Sequence, residues 1–225
     1  MLARYFDRQE GAYLNGRSFL KAMGIIALPV GLIIVQPDFG TAATFFPLVA
    51  VAMFFGGIRW KVWAAAALAL VIALPIGWTL LKPYQKDRVI TFLNPDRDPL
   101  GKGYQGTQAK LEYLPARHTD FIFAVLGEEW GFIGVMIVLG LYLFLIIQAL
   151  NFAKNARDRG GTFLAICLIS FFIFHILINV SMQIGILPTT GISLPLISYG
   201  GSSTMMFLIA IGLMANVDMR RFGHV

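Results

Sequence analysis

The chain of 225 residues is 57% hydrophobic and only 13% charged, whereas soluble globular domains are charged at about a quarter of their positions. This composition excludes an ordinary soluble globule, because too few polar side chains are present to cover one. The net charge is +6, but the basic residues fall in short clusters between apolar runs. This pattern favours anionic lipid head groups, and not nucleic acid, as the partner. The single cysteine, Cys167, lies in an apolar run and predicts no disulfide framework.

Six apolar segments predict an all-α, polytopic integral membrane protein with a single transmembrane domain over residues 1–225. A helix needs about 20 apolar residues to span the hydrocarbon layer. The segments, in chain order, are 19–35, 41–57, 62–81, 127–150, 162–182 and 201–217. The first two are short and flank Gln36 to Thr41, where Pro37 and Gly40 predict a tight hairpin.

The basic residues predict the orientation of these segments. Four joints each carry at least two Lys or Arg residues and are therefore expected to be cytoplasmic: 1–21, 56–61, 151–161 and 218–225. The long loop 82–120 is also basic but falls on the outer side by helix count. Because long loops obey the charge rule poorly, we predict one large external loop there, with basic residues that serve a function.

Asp120 is the first candidate for chemistry. It stands at the predicted water–lipid boundary, directly before the apolar run that begins at Phe121. Partial desolvation there would raise the pKa of the carboxyl group and make it a better general base. The alternative is that Thr119 or Asp120 caps the following helix, since Asp and Thr satisfy the free amides of a first turn.

Other polar residues around Asp120 suggest how a charged substrate could be bound. Glu128 lies eight residues further on, on nearly the same helix face, and an acidic group in a membrane segment is expected to be functional or paired. The two carboxylates could share the electrostatic work or hold a divalent cation; no other cofactor is indicated. Arg117 and Lys110 suit a pyrophosphate, although lipid phosphates would attract them equally. His118 could shuttle a proton or act as a structural partner.

The run 185–203 is apolar yet interrupted by Pro and Gly. Irregular backbone at membrane depth is tolerated only where protein or a cavity satisfies its polar groups, so this run is predicted to line a groove, with β-branched residues poorly tolerated at Gly200 or Gly201. His175 and Asn179, one helical turn apart in the preceding apolar segment, predict interhelical hydrogen bonds.

Five motifs occur in order along the chain: QPDFGT at 36–41, NPDRDPLG at 94–101, LPARHTDFIF at 114–123, EEWG at 128–131 and LPTTGISLPLISYGGSS at 187–203. Together they resemble the SEDS family of RodA-like and FtsW-like proteins. The resemblance implies a glycosyltransferase of the bacterial inner membrane that polymerises lipid II, with a class B penicillin-binding protein as partner. It matches Asp120 to the family's essential external-loop aspartate, and we expect Asp38 and Ser198, which lie in two of the motifs, to contact substrate.

Within the family, residues 82–85 (KPYQ) and 106–108 (GTQ) resemble RodA, whereas residues 110–115 (KLEYLP) also suit FtsW. An elongation-type polymerase is therefore favoured over a division-type one, with a flippase for the lipid-linked precursor or a scaffold for the penicillin-binding protein as further alternatives. The chain resembles the carboxy-terminal part of the family, and a glycine-rich stretch usual in the family is missing within 100–108.

Overall fold

The computed structural model describes residues 16–36, 38–55 and 120–220, together with isolated positions between 63 and 90. In this part of the chain every regular element is a helix, which confirms the all-α class. The helices are α1 (Gly16–Val35), α2 (Phe39–Ala43), α3 (Phe46–Phe55), α4 (Ile122–Lys154), α5 (Arg159–Gln183) and α6 (Gly201–Met219).

Three helices of the described part, α4, α5 and α6, are long and apolar enough to cross a membrane. They correspond to the last three predicted segments, and the ends of α5 and α6 lie within three residues of the predicted ones. The first predicted segment lies within α1, and the second corresponds to α2 and α3 together. Most of the third predicted segment lies outside the described residues, and its isolated described positions are helical.

The hairpin predicted between the first two segments is present. The helix α1 ends at Val35, and Asp38 caps α2 by accepting hydrogen bonds from Thr41 N at 3.0 Å and Thr41 Oγ1 at 2.6 Å. The predicted second segment is divided in two, because α2 ends at Ala43 and α3 begins at Phe46. Pro47 explains this break, since a proline ring clashes with the carbonyl group four residues earlier in a continuous helix.

Helix α5 lies at the centre of the described helices. One of its faces packs against α1 and α3, and another packs against α4 and α6. The first contact buries Ile26, Val51 and Ala52 with Phe163 and Cys167; the second buries Ala149, Ala153, Phe207, Ala210 and Met214 with Ala165, Ile169 and Phe172. Both apolar clusters include residues of α5, so α1, α3, α4 and α6 are held together through contacts with this helix.

Helix α4 is broken at Gly131, whose φ of 63° and ψ of −163° are not helical. A side chain at Gly134 would overlap Trp130, so the turn after the break also requires a glycine. The 23 residues after Gly131 measure about 34 Å, which suffices to span the hydrocarbon layer. Glu128 is exposed on the short first part of α4. Glu128 thus lies on the part of α4 before the break, and its depth in the membrane stays a prediction.

The predicted external loop 82–120 lies mostly outside the described residues. Of its members, positions 83, 86, 87, 89 and 90 are described and are helical, and Asp120 is described at its end. The sequence placed the end of the preceding helix at residue 81, so helical structure extends further than expected. The size and the external orientation of the loop stay predictions.

Candidate functional site

Asp120 is held at the beginning of α4, at the end of the helices where the loop 184–200 also lies. The N-cap position of α4 belongs to Phe121, and no side chain makes a capping hydrogen bond there. Asp120 is partly buried and precedes this cap. Asp120 therefore does not occupy the N-cap position of α4, and Thr119, the other capping candidate, lies outside the described residues.

The main-chain carbonyl of Asp120 is bound by two side-chain amides from the end of α5. Asn179 Nδ2 and Gln183 Nε2 each donate to it at 3.1 Å. Asn179 Nδ2 also donates to Ile192 O in the loop at 2.7 Å, and Gln183 Nε2 donates to Asn179 Oδ1 at 2.6 Å. We call the side chains of Asn179 and Gln183 the amide clamp.

The carboxylate of Asp120 faces the loop 184–200 at Gly191. A methyl group added at Gly191 would lie 3.8 Å from Asp120 Oδ2. Gly191 has a φ of +74°, a conformation that favours glycine over residues with a side chain. The loop thus brings the backbone of a residue without a side chain close to the carboxylate.

Side chains of the long helices hold this loop in place, as the sequence predicted for irregular backbone at membrane depth. His175 Nδ1 donates to Ser193 O at 3.3 Å, which indicates the tautomer protonated at Nδ1. The hydroxyl group of Tyr142 donates to Pro195 O. His175 and Asn179 are both buried, and their partners are loop carbonyls and the carbonyl of Asp120, not another helix as predicted.

The turn between α1 and α2 packs against the same loop. A side chain at Gly40 would overlap the carbonyl oxygen of Thr190, the residue next to Gly191. The Asp38 cap therefore lies near the loop segment that Asp120 faces. The Asp38 cap, Asp120 and the loop 184–200 thus lie at one end of the described structure.

The predicted site residues are only partly brought together. Asp38 is exposed and caps α2, whereas Ser198 is buried and accepts a hydrogen bond from Leu194 N at 2.7 Å. These contacts give both residues structural roles, and their contacts with substrate stay predictions. Lys110, Arg117 and His118 lie outside the described residues. Within the described residues no group of three or more His, Cys, Asp or Glu side chains comes together, so a divalent cation also stays a prediction.

Sequence reasoning missed the neighbours of Asp120. Gly191 gave no signal beyond its place in a Pro- and Gly-rich run, and its closeness to Asp120 depends on tertiary packing. Asn179 and Gln183 did give a signal, as polar residues near the end of an apolar helix, but their spacing does not reveal which carbonyl they bind.

The described structure is that of a polytopic α-helical membrane protein. Helix side chains bind carbonyl groups of its irregular loop, and the carboxylate of Asp120 at the end of the bundle is a candidate proton acceptor. The sequence model of the cell cycle protein family that comprises FtsW, RodA and SpoVE matches residues 1–110 and 105–222. The chain belongs to this family, which confirms the SEDS resemblance. The two matched segments overlap at residues 105–110, next to the region 100–108 where the sequence predicts that a glycine-rich stretch is missing.

Curated relatives come from both branches of the family. The chain is 42% identical over 228 residues to the probable peptidoglycan glycosyltransferase FtsW of Pseudoalteromonas translucida, covering 91% of this chain and 56% of that protein. It is 36% identical over 225 residues to the peptidoglycan glycosyltransferase MrdB of Escherichia coli K12, covering 89% and 60%. The chain thus spans little more than half the length of these relatives, and the choice between the branches stays a prediction.

Solved structures share the fold. The chain resembles a peptidoglycan synthase complex described as coordinating polymerization and crosslinking, with a TM-score of 0.81 and 33% identity over 98% of this chain and 67% of the other. It also resembles the rod shape determining protein RodA of Thermus thermophilus, with a TM-score of 0.68 and 27% identity over 99% of this chain and 62% of the other. The chain is a bacterial multi-pass membrane protein, because three of its described helices are able to cross a membrane and its relatives are bacterial FtsW and MrdB proteins.

Proposed function

We propose that the protein is a peptidoglycan glycosyltransferase that polymerises lipid II at the outer face of the bacterial inner membrane, with Asp120 as general base. The observation that carries the proposal is the fixed position of Asp120, whose carbonyl is clamped while its carboxylate faces Gly191. The names of the relatives support the activity. The elongation branch is favoured on the RodA-like residues 82–85 and 106–108.

In this mechanism Asp120 removes the proton from the attacking hydroxyl group of the acceptor sugar. The hydroxyl oxygen forms a bond to the anomeric carbon of the donor, and the bond from that carbon to the pyrophosphate oxygen breaks. Undecaprenyl pyrophosphate leaves with the bonding electron pair. Arg117 and Lys110 would stabilise its negative charge, His118 would relay the proton, and Glu128 would bind the substrate.

The test is Asp120→Asn in the intact protein with its class B penicillin-binding partner. Asn is nearly isosteric with Asp, but an amide cannot accept the hydroxyl proton at neutral pH. Because general-base catalysis contributes about 10²- to 10⁴-fold, kcat for polymerisation of supplied lipid II should fall by at least about 100-fold, while thermal stability and partner binding stay near those of the wild type. Polymer formation close to the wild-type level would refute the assignment.

Asp158→Asn is the matched control. Asp158 caps α5 by accepting from Gly161 N at 3.2 Å, at the opposite end of that helix. The same carboxylate-to-amide change there should leave polymerisation unchanged, since Asn also caps helices well. Asp38→Asn tests the predicted substrate contact: an unchanged KM would restrict Asp38 to its capping role.

A flippase and a scaffold are the alternative functions. Supplying lipid II directly to the outer face removes any need for flipping, so polymer formed under these conditions requires a polymerase. If polymerisation depends on the partner's own activity and not on Asp120, the scaffold is favoured. The proposed partner, a class B penicillin-binding protein, is supported by the similarity to a synthase complex.

A further inference from the structure

All four N–H protons of the amide clamp have an acceptor. The two protons of Asn179 Nδ2 go to Asp120 O and Ile192 O, and those of Gln183 Nε2 go to Asp120 O and Asn179 Oδ1. A carbonyl oxygen has two lone pairs, so these two donors fill the accepting capacity of Asp120 O. Reversing either amide would place an oxygen against an acceptor, so the network has one favourable orientation.

The clamp acts on the backbone of Asp120 and on the loop that its carboxylate faces. Asn179 is fully buried and binds Asp120 O and Ile192 O with one nitrogen atom. Ile192 directly follows Gly191, the residue beside Asp120 Oδ2. A single side chain of α5 therefore binds both the main chain of Asp120 and the loop residue next to Gly191.

We propose that Asn179 and Gln183 are positioning residues that orient Asp120 toward the loop 184–200. This inference rests on the proposed function of Asp120. The clamp reduces the rotation of the Asp120 peptide group, so that the carboxylate already points toward the acceptor hydroxyl before substrate binds. Displacing a reacting group by about 1 Å can cost about 100-fold in rate, which makes such preorganisation valuable.

Gln183 offers the sharper of the two tests, because Asn179 is fully buried and also anchors the loop. Gln183→Met keeps the length of the side chain and removes the two hydrogen bonds that Gln183 Nε2 donates, to Asp120 O and to Asn179 Oδ1. Gln183 Oε1 is buried and has no hydrogen-bond partner among the described residues, so the substitution also removes an unsatisfied acceptor. Asn179 Oδ1 loses its donor from Gln183, however, so a loss of stability is expected and Tm is measured beside kcat. Gln183→Glu is a second isosteric variant whose carboxylate accepts but does not donate at neutral pH.

His175→Phe is the matched control on the same helix. It removes the hydrogen bond to Ser193 O and so loosens the same loop, but His175 has no hydrogen bond to Asp120. A phenyl ring also preserves packing against Phe171 and Phe207, whose centroids lie 4.4 and 5.1 Å from the imidazole ring. This variant shows what loosening of the loop alone does.

The experiment measures kcat, KM for lipid II and Tm in the intact, partnered protein. We expect both Gln183 variants to lower kcat by roughly 10- to 100-fold with KM within about twofold of the wild type, and to lower kcat more than His175→Phe does at a comparable Tm. A wild-type kcat, or equal kcat losses in all three variants at equal Tm, would overturn the positioning role. Asp120→Asn, measured in the same assay, separates the two proposals. If the clamp variants give an overturning result and Asp120→Asn is inactive, the positioning role is refuted but the proposed function stands. If Asp120→Asn polymerises normally, the proposed function is refuted as well.

Discussion

The break in α4 predicts opposite effects of the same substitution at two glycines of one helix. A methyl group added at Gly131 or at Gly140 meets no atom within 4 Å, so steric contact does not distinguish them. The backbone does, because Gly131 has φ 63° and ψ −163°, a region essentially restricted to glycine, which costs other residues about 1–3 kcal/mol. Gly140 is helical, and alanine there should stabilise the helix by up to about 1 kcal/mol.

Gly131→Ala should therefore be less stable than Gly140→Ala by roughly 2 kcal/mol. Since 1 kcal/mol shifts Tm by about 2–4 °C in a chain of this size, thermal unfolding in detergent should show Tm values at least about 4 °C apart. Equal Tm values would mean that α4 continues as a regular helix through residue 131. In that case Glu128 would lie on one continuous helix with the residues after Gly131.

Two further substitutions test the packing of the loop 184–200, each by thermal unfolding in the same detergent. Gly40→Ala should lower stability by about 1–3 kcal/mol, because the added methyl group overlaps loop backbone. Gly31 is helical and has no atom within 4 Å of an added methyl group, so Gly31→Ala should stabilise α1 by up to about 1 kcal/mol, as at Gly140. Equal effects of the two substitutions would contradict the contact of Gly40 with the loop. Tyr142→Phe should lower the free energy of unfolding by only about 1 kcal/mol, because Pro195 O keeps a hydrogen bond from the amide of residue 197. An unchanged free energy of unfolding would mean that the hydrogen bond from Tyr142 contributes nothing to stability.

The spanning helices could be predicted because lipid imposes a simple requirement. A segment in the hydrocarbon layer must be apolar and about 20 residues long, so α5 and α6 were located to within three residues by composition alone. The break in α4 could not be predicted, since a glycine in an apolar run is compatible with a continuous helix. Only the tertiary structure shows that Gly131 leaves the helical conformation.

The sequence predicted the site residue that is marked by its position along the chain, and it missed the residues that join the site through tertiary contacts. Asp120 was singled out by its place before an apolar run, but its neighbour Gly191 lies 71 positions away in the sequence. The glycines expected to be intolerant were Gly200 or Gly201; a methyl group at Gly200 would lie 3.2 Å from Ser203 Oγ, whereas one at Gly201 meets no atom within 4 Å. The tight approach of backbone to backbone occurs instead at Gly40, because the turn between α1 and α2 packs onto the loop.

The polar residues of α5 have a consequence for the order in which the chain enters the membrane. His175 and Asn179 bind carbonyls that lie in the following loop or at the start of α4. When α5 first emerges from the ribosome, that loop has not yet been synthesised, so an imidazole and an amide would face lipid without their loop partners, which is unfavourable. Transfer of α5 into lipid should therefore wait until α6 has been translated and the loop can close.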